Sequence, residues 1–300
     1  MSWLTGLRAT LRLVLERRAD LYGMNRRNIE LVYRRNRRRD YPLADDKLLA
    51  KEHLLAAGVP VPETLATCDG LFAIPPLLER LAGQSHFVVK PATGSGGDGI
   101  LVVGERVDGR GWRRAGGELV TVADLHRHLA NIVYGAYSGE MEDRAFVEKR
   151  IVPHPVYTAL WADGLCDVRV ITVDGTPTVA MVRVPTEMSG GRANLHQGGI
   201  GLAVDLDTGV TVRAVHRRHP VDRHPESDAP LLGIQLPAWP RLLEVARHTA
   251  ASVPLGYLGV DLVVDADLGP LVLEINARPG LEIQNVHNHG LGELLPEERA

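Results

Sequence analysis

Cysteine is nearly absent from this chain of 300 residues: Cys68 and Cys166 are the only two. They offer no disulfide framework and no zinc knuckle, which fits a reducing compartment and sets the expectation of a cytoplasmic protein. Aromatic residues make up only 5% of the chain. No apolar run is long enough to span a bilayer. The formal net charge is −3, so no global polyelectrolyte partner is implied. No internal repeat and no long low-complexity segment is present. Arginines interrupt the apolar residues of the N-terminus, which excludes a secretory signal. That segment has the Arg-rich, amphipathic character of a transit peptide, but Glu16 and Asp20 count against one. A chain of this length buries a real core and has room for two or three subdomains.

Chemistry concentrates between Gly259 and Gly280, GVDLVVDADLGPLVLEINARPG. Alternation predicts a β-hairpin. With Ala266–Gly269 as the loop, Asp265 faces Pro270 and Asp261 faces Glu274. Asn276 follows two residues on, on the same face. Two opposed carboxylates repel. A shared proton, a basic side chain or a cation would offset the repulsion, and two carboxylates with an amide oxygen suit Mg²⁺. The competing reading is a hairpin face that points its acids into water.

Residues 1–40 read as basic helices, with Trp3, Leu7, Leu11, Val14 and Leu15 at helical spacing. A docking helix with a solvated basic face competes with a membrane-surface or partner-binding helix, and with nucleic-acid contact, which no interleaved aromatics support. In DDKLLAKEHLLAAGVPVP, Asp45 is expected to cap a helix that Gly58 closes, with Lys47 in the first turn, where the helix dipole disfavours a cation.

Residues 86–107 read as strand, glycine-rich loop, strand. Lys90 ends the first strand, and Gly94, Ser95, Gly96, Gly97 and Gly99 supply free backbone N–H groups for phosphate oxygens. A strand follows where a dinucleotide fingerprint needs a helix, and no lysine follows the glycines as in a P-loop. Thr121 and Asp124 open a helix that runs to Ala136. A short strand then ends in Glu148-Lys149-Arg150-Ile151, and Pro153 and Pro155 stop it, as at an interdomain hinge. Asp167 and Arg169 share one face of a strand. Arg183 alternates with core residues on the next. Arginines so placed need anionic partners, which suggests a lined cleft for phosphate or carboxylate. The loop 190–199 brackets Arg192, Asn194 and His196 with glycines, as a structural loop or a polar binding loop. His216, His219 and His224 lack the ligand spacing of a zinc site. A helix over 238–252 precedes the hairpin.

In this order, the early lysine, strand-end lysine with glycine loop, E-K hinge, D-x-R strand, R-x-N-L-H-x-G-G loop, GVD and E-I-N-x-R-P-G resemble an ATP-grasp ligase from about Tyr41 to Gly292. NARPGLEIQ, DDKLLAKEHLLAAGVPVPE and RANLHQGGIG are most similar to the ribosomal-protein-S6-modification-like, α-L-glutamate-ligase-related, sugar-transfer-associated subgroup. The resemblance implies an α+β fold in which two subdomains grip ATP between antiparallel sheets, with an N-terminal helical extension. The expected divisions are residues 1–40, 41–85, 86–150 and 151–300: basic helical extension, helical lead-in, central subdomain and C-terminal subdomain with the metal site.

The resemblance further implies that Lys47, Lys90, Ser95, Gly96 and Gly97 hold the ATP phosphates, and that Glu148 with the backbone of Lys149 and Ile151 holds adenine. Asp261, Glu274 and Asn276 would ligate Mg²⁺ or Mn²⁺. Arg169, Arg183 and Arg278 would be catalytic, facing an acyl phosphate, with Arg192, Asn194 and His196 toward substrate. The activity implied is amide formation between a carboxylate-bearing amino acid or peptide and an amine acceptor, without sequence-specific nucleic acid, and with peripheral membrane or protein contact through the N-terminal helices. A nucleotide-binding module without catalysis, a phosphotransferase and a thioester-forming ligase on the same fold are the competing outcomes. The acidic ribose ligand expected beyond the hinge is replaced by His154-Pro155, and the usual N-terminal α/β subdomain by basic helices.

Overall fold

The computed structural model describes residues 20–295 apart from Ser95, Asp108 and Ala115. The apolar series Trp3 to Leu15 and the phosphate-loop Ser95 lie outside the described residues. The chain divides into two compact units, Pro42–Val152 and Met1–Tyr41 with Pro153–Ala300.

The unit Pro42–Val152 is built on an antiparallel sheet. Its helix α1 (Lys47–Ala56) starts at Asp46, whose side chain accepts from the N–H groups of Leu48 and Leu49. Asp46, rather than Asp45, is therefore the cap. Then come β1 (Thr64–Cys68), α2 (Ile74–Leu81), β2 (Phe87–Pro91), β3 (Leu101–Val107), β4 (Gly111–Arg114), β5 (Leu119–Val120), α3 (Val122–Val133) and β6 (Ala145–Lys149). The spatial order is β1-β6-β2-β3-β4-β5. Thr121 and Asp124 form the expected capping box on α3. Leu77 and Leu81 of α2 and Leu125, Leu129 and Ile132 of α3 bury against Phe87, Val89 and Val147. Because β1 pairs with β6, the expected lead-in 41–85 and the 86–150 segment share one sheet and one core.

The other unit holds a seven-stranded antiparallel sheet in the order β11-β10-β9-β8-β7-β12-β13. Its strands are β7 (Asp167–Val173), β8 (Thr176–Val184), β9 (Ile200–Val204), β10 (Thr211–His216), β11 (His219–Pro220), β12 (Tyr257–Asp265) and β13 (Gly269–Asn276). Helix α4 (Trp239–Ser252) packs on one face, against β12, β13, β7 and β8. The opposite face carries Ile171, Met181, Ala203 and Tyr257. Leu31 and Val32 cover it, together with Ile283 and Val286 of helix α5 (Glu282–His287). Both faces of β12 are thus covered and all nine of its residues are buried. This rules out the solvated hairpin face and explains why the strand reads LVV rather than as a clean alternation.

Residues 24–35 are helical, with a π-type turn over Asn28–Val32. They pack within this second unit through Leu31 and Val32 and do not stand apart as an extension. Among the described residues, no helix is long and apolar enough to cross a membrane.

Candidate nucleotide and metal site

Site residues fall on both units. On Pro42–Val152, Lys47 is the first residue of α1, and its ammonium donates to the Gly94 carbonyl of the glycine loop. Gly96, Gly97 and Gly99 have φ of 66°, 83° and 75°, the left-handed region that an L side chain resists. A Cβ on Gly99 would also lie 2.6 Å from the Tyr137 ring. His128 of α3 steadies the same loop, with Nε2 2.9 Å from the Gly99 carbonyl.

Lys90, next to last in β2, pairs with Glu148 of β6. Glu148 is 3% exposed, and its other oxygen takes Lys51. Both carboxylate oxygens are therefore held by lysines. Burial pushes the Glu148 carboxyl up, but the ammoniums of Lys90 and Lys51 outweigh it and the group ends below its ordinary range. Burial pulls Lys51 down, and Glu148 offsets only part of that. An ammonium at each oxygen favours the ionised carboxylate. The Lys149 N–H donates to the Glu63 carbonyl, and Ile151 follows, half-buried.

Lys51 escaped the sequence reading. It lies one helical turn after Lys47, at i+4, and that spacing was the available signal.

On the second unit, Asp261 of β12 lies opposite Glu274 of β13, as expected, but by a different route. The loop is one residue shorter: Gly269, with φ of 76°, pairs with Asp265. The pairing steps from Leu262↔Val272 to Asp261↔Glu274, so Leu273 is an extra residue on β13. A bulge of this kind absorbs the one-residue difference and restores the register at the carboxylates. Asn276 faces Gly259 two pairs further on.

Asp261 is fully buried and heavily bonded. Its Oδ1 accepts from Arg169 Nε at 2.7 Å. Its Oδ2 accepts from Arg169 Nη2 at 2.6 Å, Arg183 Nη2 at 2.9 Å and Asn276 Nδ2 at 3.2 Å. Arg183 also forks onto Asp167, Nε to Oδ1 at 2.6 Å and Nη2 to Oδ2 at 2.7 Å. The partners of the strand arginines are thus the protein's own carboxylates. Burial alone would raise the Asp261 carboxyl, but the Arg169 and Arg183 guanidiniums hold it well below the usual range. Asp167 is pushed up to about 6, by burial and by the Asp261 charge, against the pull of Arg183.

The donor set fits a hard divalent cation. Glu274 and Asn276 are partly exposed, and an Asn276 amide that donates through Nδ2 keeps its carbonyl oxygen as the end a cation would take. Asp261 is the least accessible of the three, its oxygens being engaged by arginines and by the Asn276 amide. Among the described residues no group of three or more His, Cys, Asp or Glu side chains is placed to hold a metal ion. His224 is buried and stacked on Trp161 at 4.8 Å.

Arg278, just beyond β13, is exposed. Arg192 and His196 are exposed in the β8–β9 loop, where the Asn194 side chain accepts the His196 N–H at 3.0 Å. His154 accepts the Val156 N–H and caps the short helix Pro155–Thr158.

One unit carries a glycine-rich loop whose Gly94 carbonyl takes Lys47, and the other carries Asp261, Glu274 and Asn276 on a hairpin. The chain belongs to the sugar-transfer-associated ATP-grasp family, whose sequence model matches residues 26–297. It is 27% identical over 239 residues to a probable alpha-L-glutamate ligase of Xanthomonas oryzae pv. oryzae (strain MAFF 311018), covering 80% of this chain and 58% of that protein. It is 31% identical over 117 residues to the ribosomal protein bS6–L-glutamate ligase of Escherichia coli O7:K1, covering 39% of this chain and 28% of that one. The chain therefore spans little more than half the length of the first of these relatives. A solved structure similar to it is a RimK domain ATP-grasp protein from Sphaerobacter thermophilus, with 15% identity, a TM-score of 0.47, and coverage of 87% of this chain and 70% of that chain.

Proposed function

We propose that the protein is an ATP-dependent carboxylate–amine ligase that works through an acyl phosphate. The observation that carries this is the pairing of Asp261 with Glu274, beside Asn276, on a sheet face that holds two arginines. Lys47, Lys90 and the Gly96-Gly97 backbone would neutralise and hold the phosphates of ATP. The backbone of Lys149 and Ile151 would hold adenine. Glu274, Asn276 and Asp261 would hold Mg²⁺ or Mn²⁺, which when bound supplies charge neutralisation at the phosphates.

A carboxylate oxygen attacks the γ-phosphorus, the bond to the β-phosphate oxygen breaks, and ADP leaves. An amine lone pair then adds to the acyl carbon, phosphate departs with the C–O pair, and the nitrogen gives up a proton. Arg278 is exposed, just beyond the hairpin that carries Glu274 and Asn276, which suits it to the acyl phosphate and the tetrahedral oxyanion. Arg169 and Arg183 would act through the Asp261 charge they fix. Arg192, Asn194 and His196 would face the substrate carboxylate.

Glutamate is the first acid to test, since relatives carry that name. Incubation with Mg²⁺, ATP and hydroxylamine across amino acids and short peptides is expected to give a hydroxamate and ADP, read by mass spectrometry. AMP in place of ADP would overturn the mechanism. ATP binding with neither product would favour the non-catalytic module.

A further inference from the structure

Three side chains from residues 27–41 reach the loop that leaves β13. Asn36 is 3% exposed. Its Nδ2 donates to the carbonyls of Tyr257 at 2.7 Å and Ala277 at 2.8 Å, and its Oδ1 accepts the Tyr257 N–H at 2.9 Å. Arg27 Nη1 donates to the Pro279 carbonyl at 2.9 Å and more weakly to that of Arg278 at 3.4 Å. The rest of the Arg27 fork is fixed on Asn28 Oδ1, from Nε at 3.1 Å and Nη2 at 2.7 Å. Tyr41 places its ring 5.0 Å from the Arg278 guanidinium carbon. Three successive carbonyls, 277 to 279, thus receive N–H donors from the N-terminal segment.

Docking alone does not require this. Leu31 and Val32 already bury the segment in the apolar core. Burying an arginine and an asparagine is costly unless every donor finds an acceptor, and here the acceptors include carbonyls that lie beyond the last ladder pair of β13. The loop is seated from the other side as well. Gly259 lies under Pro279, where a Cβ would come 2.8 Å from the proline Cβ. The Arg278 backbone is therefore held on two sides, and a cation over a ring restricts the long side chain that would otherwise roam.

We infer that Arg27, Asn36 and Tyr41 are positioning residues that fix Ala277–Pro279 and aim Arg278, so that the N-terminal segment is an integral part of the active site. The inference rests on the reading of Arg278 as the group that meets the acyl phosphate.

The test uses the full chain with Tyr41→Leu, Tyr41→Phe and Arg27→Met. Asn36→Ala removes three buried hydrogen bonds at once and is set aside for its risk to folding. Hydrogen exchange of peptides covering 277–281 is read on the ligand-free protein. The values of kcat and of KM for ATP are read in the hydroxylamine reaction. Tyr41→Leu is expected to lower kcat by about tenfold or more, the scale of a misplaced reacting group. Its KM for ATP should stay within about twofold and its Tm unchanged, and Tyr41→Phe should restore turnover. Arg27→Met is expected to raise exchange at 277–281 by about tenfold, selectively. Wild-type kcat in Tyr41→Leu, failure of the phenylalanine to rescue, or exchange that rises no more at 277–281 than across the rest of the sheet overturns the inference. If the wild-type protein binds ATP and forms no hydroxamate, the ligase reading falls, and the exchange comparison still decides whether the clamp exists.

Discussion

Lys51 and Lys90 hold one carboxylate between them: each ammonium takes a different oxygen of the buried Glu148. The trio keeps one net positive charge. Lys51 answers the Glu148 charge, which leaves Lys90 a cation for the phosphates of the proposed reaction.

Lys51→Met should turn Glu148 and Lys90 into a neutral pair, which attracts phosphate less. ATP and ADP affinity is expected to fall about tenfold, or 1.4 kcal/mol. Replacing Glu148 by Gln in the same protein removes the charge that neutralises Lys90, so the double variant should regain most of the affinity. Titration calorimetry of both variants checks this. Equal binding by the single variant and the wild type would sink the charge argument.

The Asp261 network sets a second expectation. Arg169→Met leaves a fully buried carboxylate with one of its three guanidinium hydrogen bonds, and should cost about 3–5 kcal/mol in chemical denaturation. Glu274→Ala touches a partly exposed residue and should leave the denaturation curve in place while abolishing turnover. Near-normal ADP release by Glu274→Ala would mean that the metal assignment is wrong.

Gly259→Ala adds a Cβ that would meet Pro279 at 2.8 Å and Asn276 Cβ at 3.5 Å. Overpacking of this kind costs about 1–3 kcal/mol. Turnover should fall further than stability accounts for, because the loop that moves carries Arg278. A stability loss with turnover intact would separate Pro279 seating from catalysis.

His128 and His287 are both held below the ordinary imidazole range, chiefly by burial. A His with a depressed folded pKa stays neutral where the unfolded chain has taken up a proton. Its contribution is therefore present above about pH 6.5 and lost as pH falls through that value. Each group sets a slope of at most about 1.4 kcal/mol per pH unit. Asp167, pushed up to about 6, acts in the opposite direction over the same range, so the histidine contribution is read as a difference: the Tm of the wild type minus that of His287→Gln, which lacks the imidazole beside the Ala180 carbonyl, should fall from pH 7.5 down to 5. A difference that is level across this range would contradict the burial argument.

The hairpin shows how much was legible and why the rest was not. Alternation located both strands, and Asp261 was placed against Glu274. The loop in that reading was one residue too long, and the bulge at Leu273 cancelled the error. Bulges answer to twist and packing, which local pattern does not record. The choice between Asp45 and Asp46 as cap turned on where the chain enters α1, which two adjacent acids leave open. Arg169 and Arg183 were recognised as needing anions, but the anions proved internal, because pairing across three strands is a tertiary fact. Glu148 was read from the hinge motif, and its two lysine partners come from elements far apart in sequence. The N-terminal segment stood out only by its charge. Its buried contacts run through Arg27 and Asn36, residue types that look like any surface residue until their carbonyl partners are known.

One consequence concerns the order of synthesis. Asn36 waits for Ala277, 241 residues later, before its amide finds that partner. The unit Pro42–Val152 lies wholly between the two. On the ribosome it can close its own core while Arg27, Asn36 and Tyr41 are still idle, since domains generally fold as they emerge. The first described segment to be translated is therefore among the last to be locked. Until Ala277 to Pro279 emerge, a chain that has finished the unit Pro42–Val152 lacks the contacts that hold Arg278.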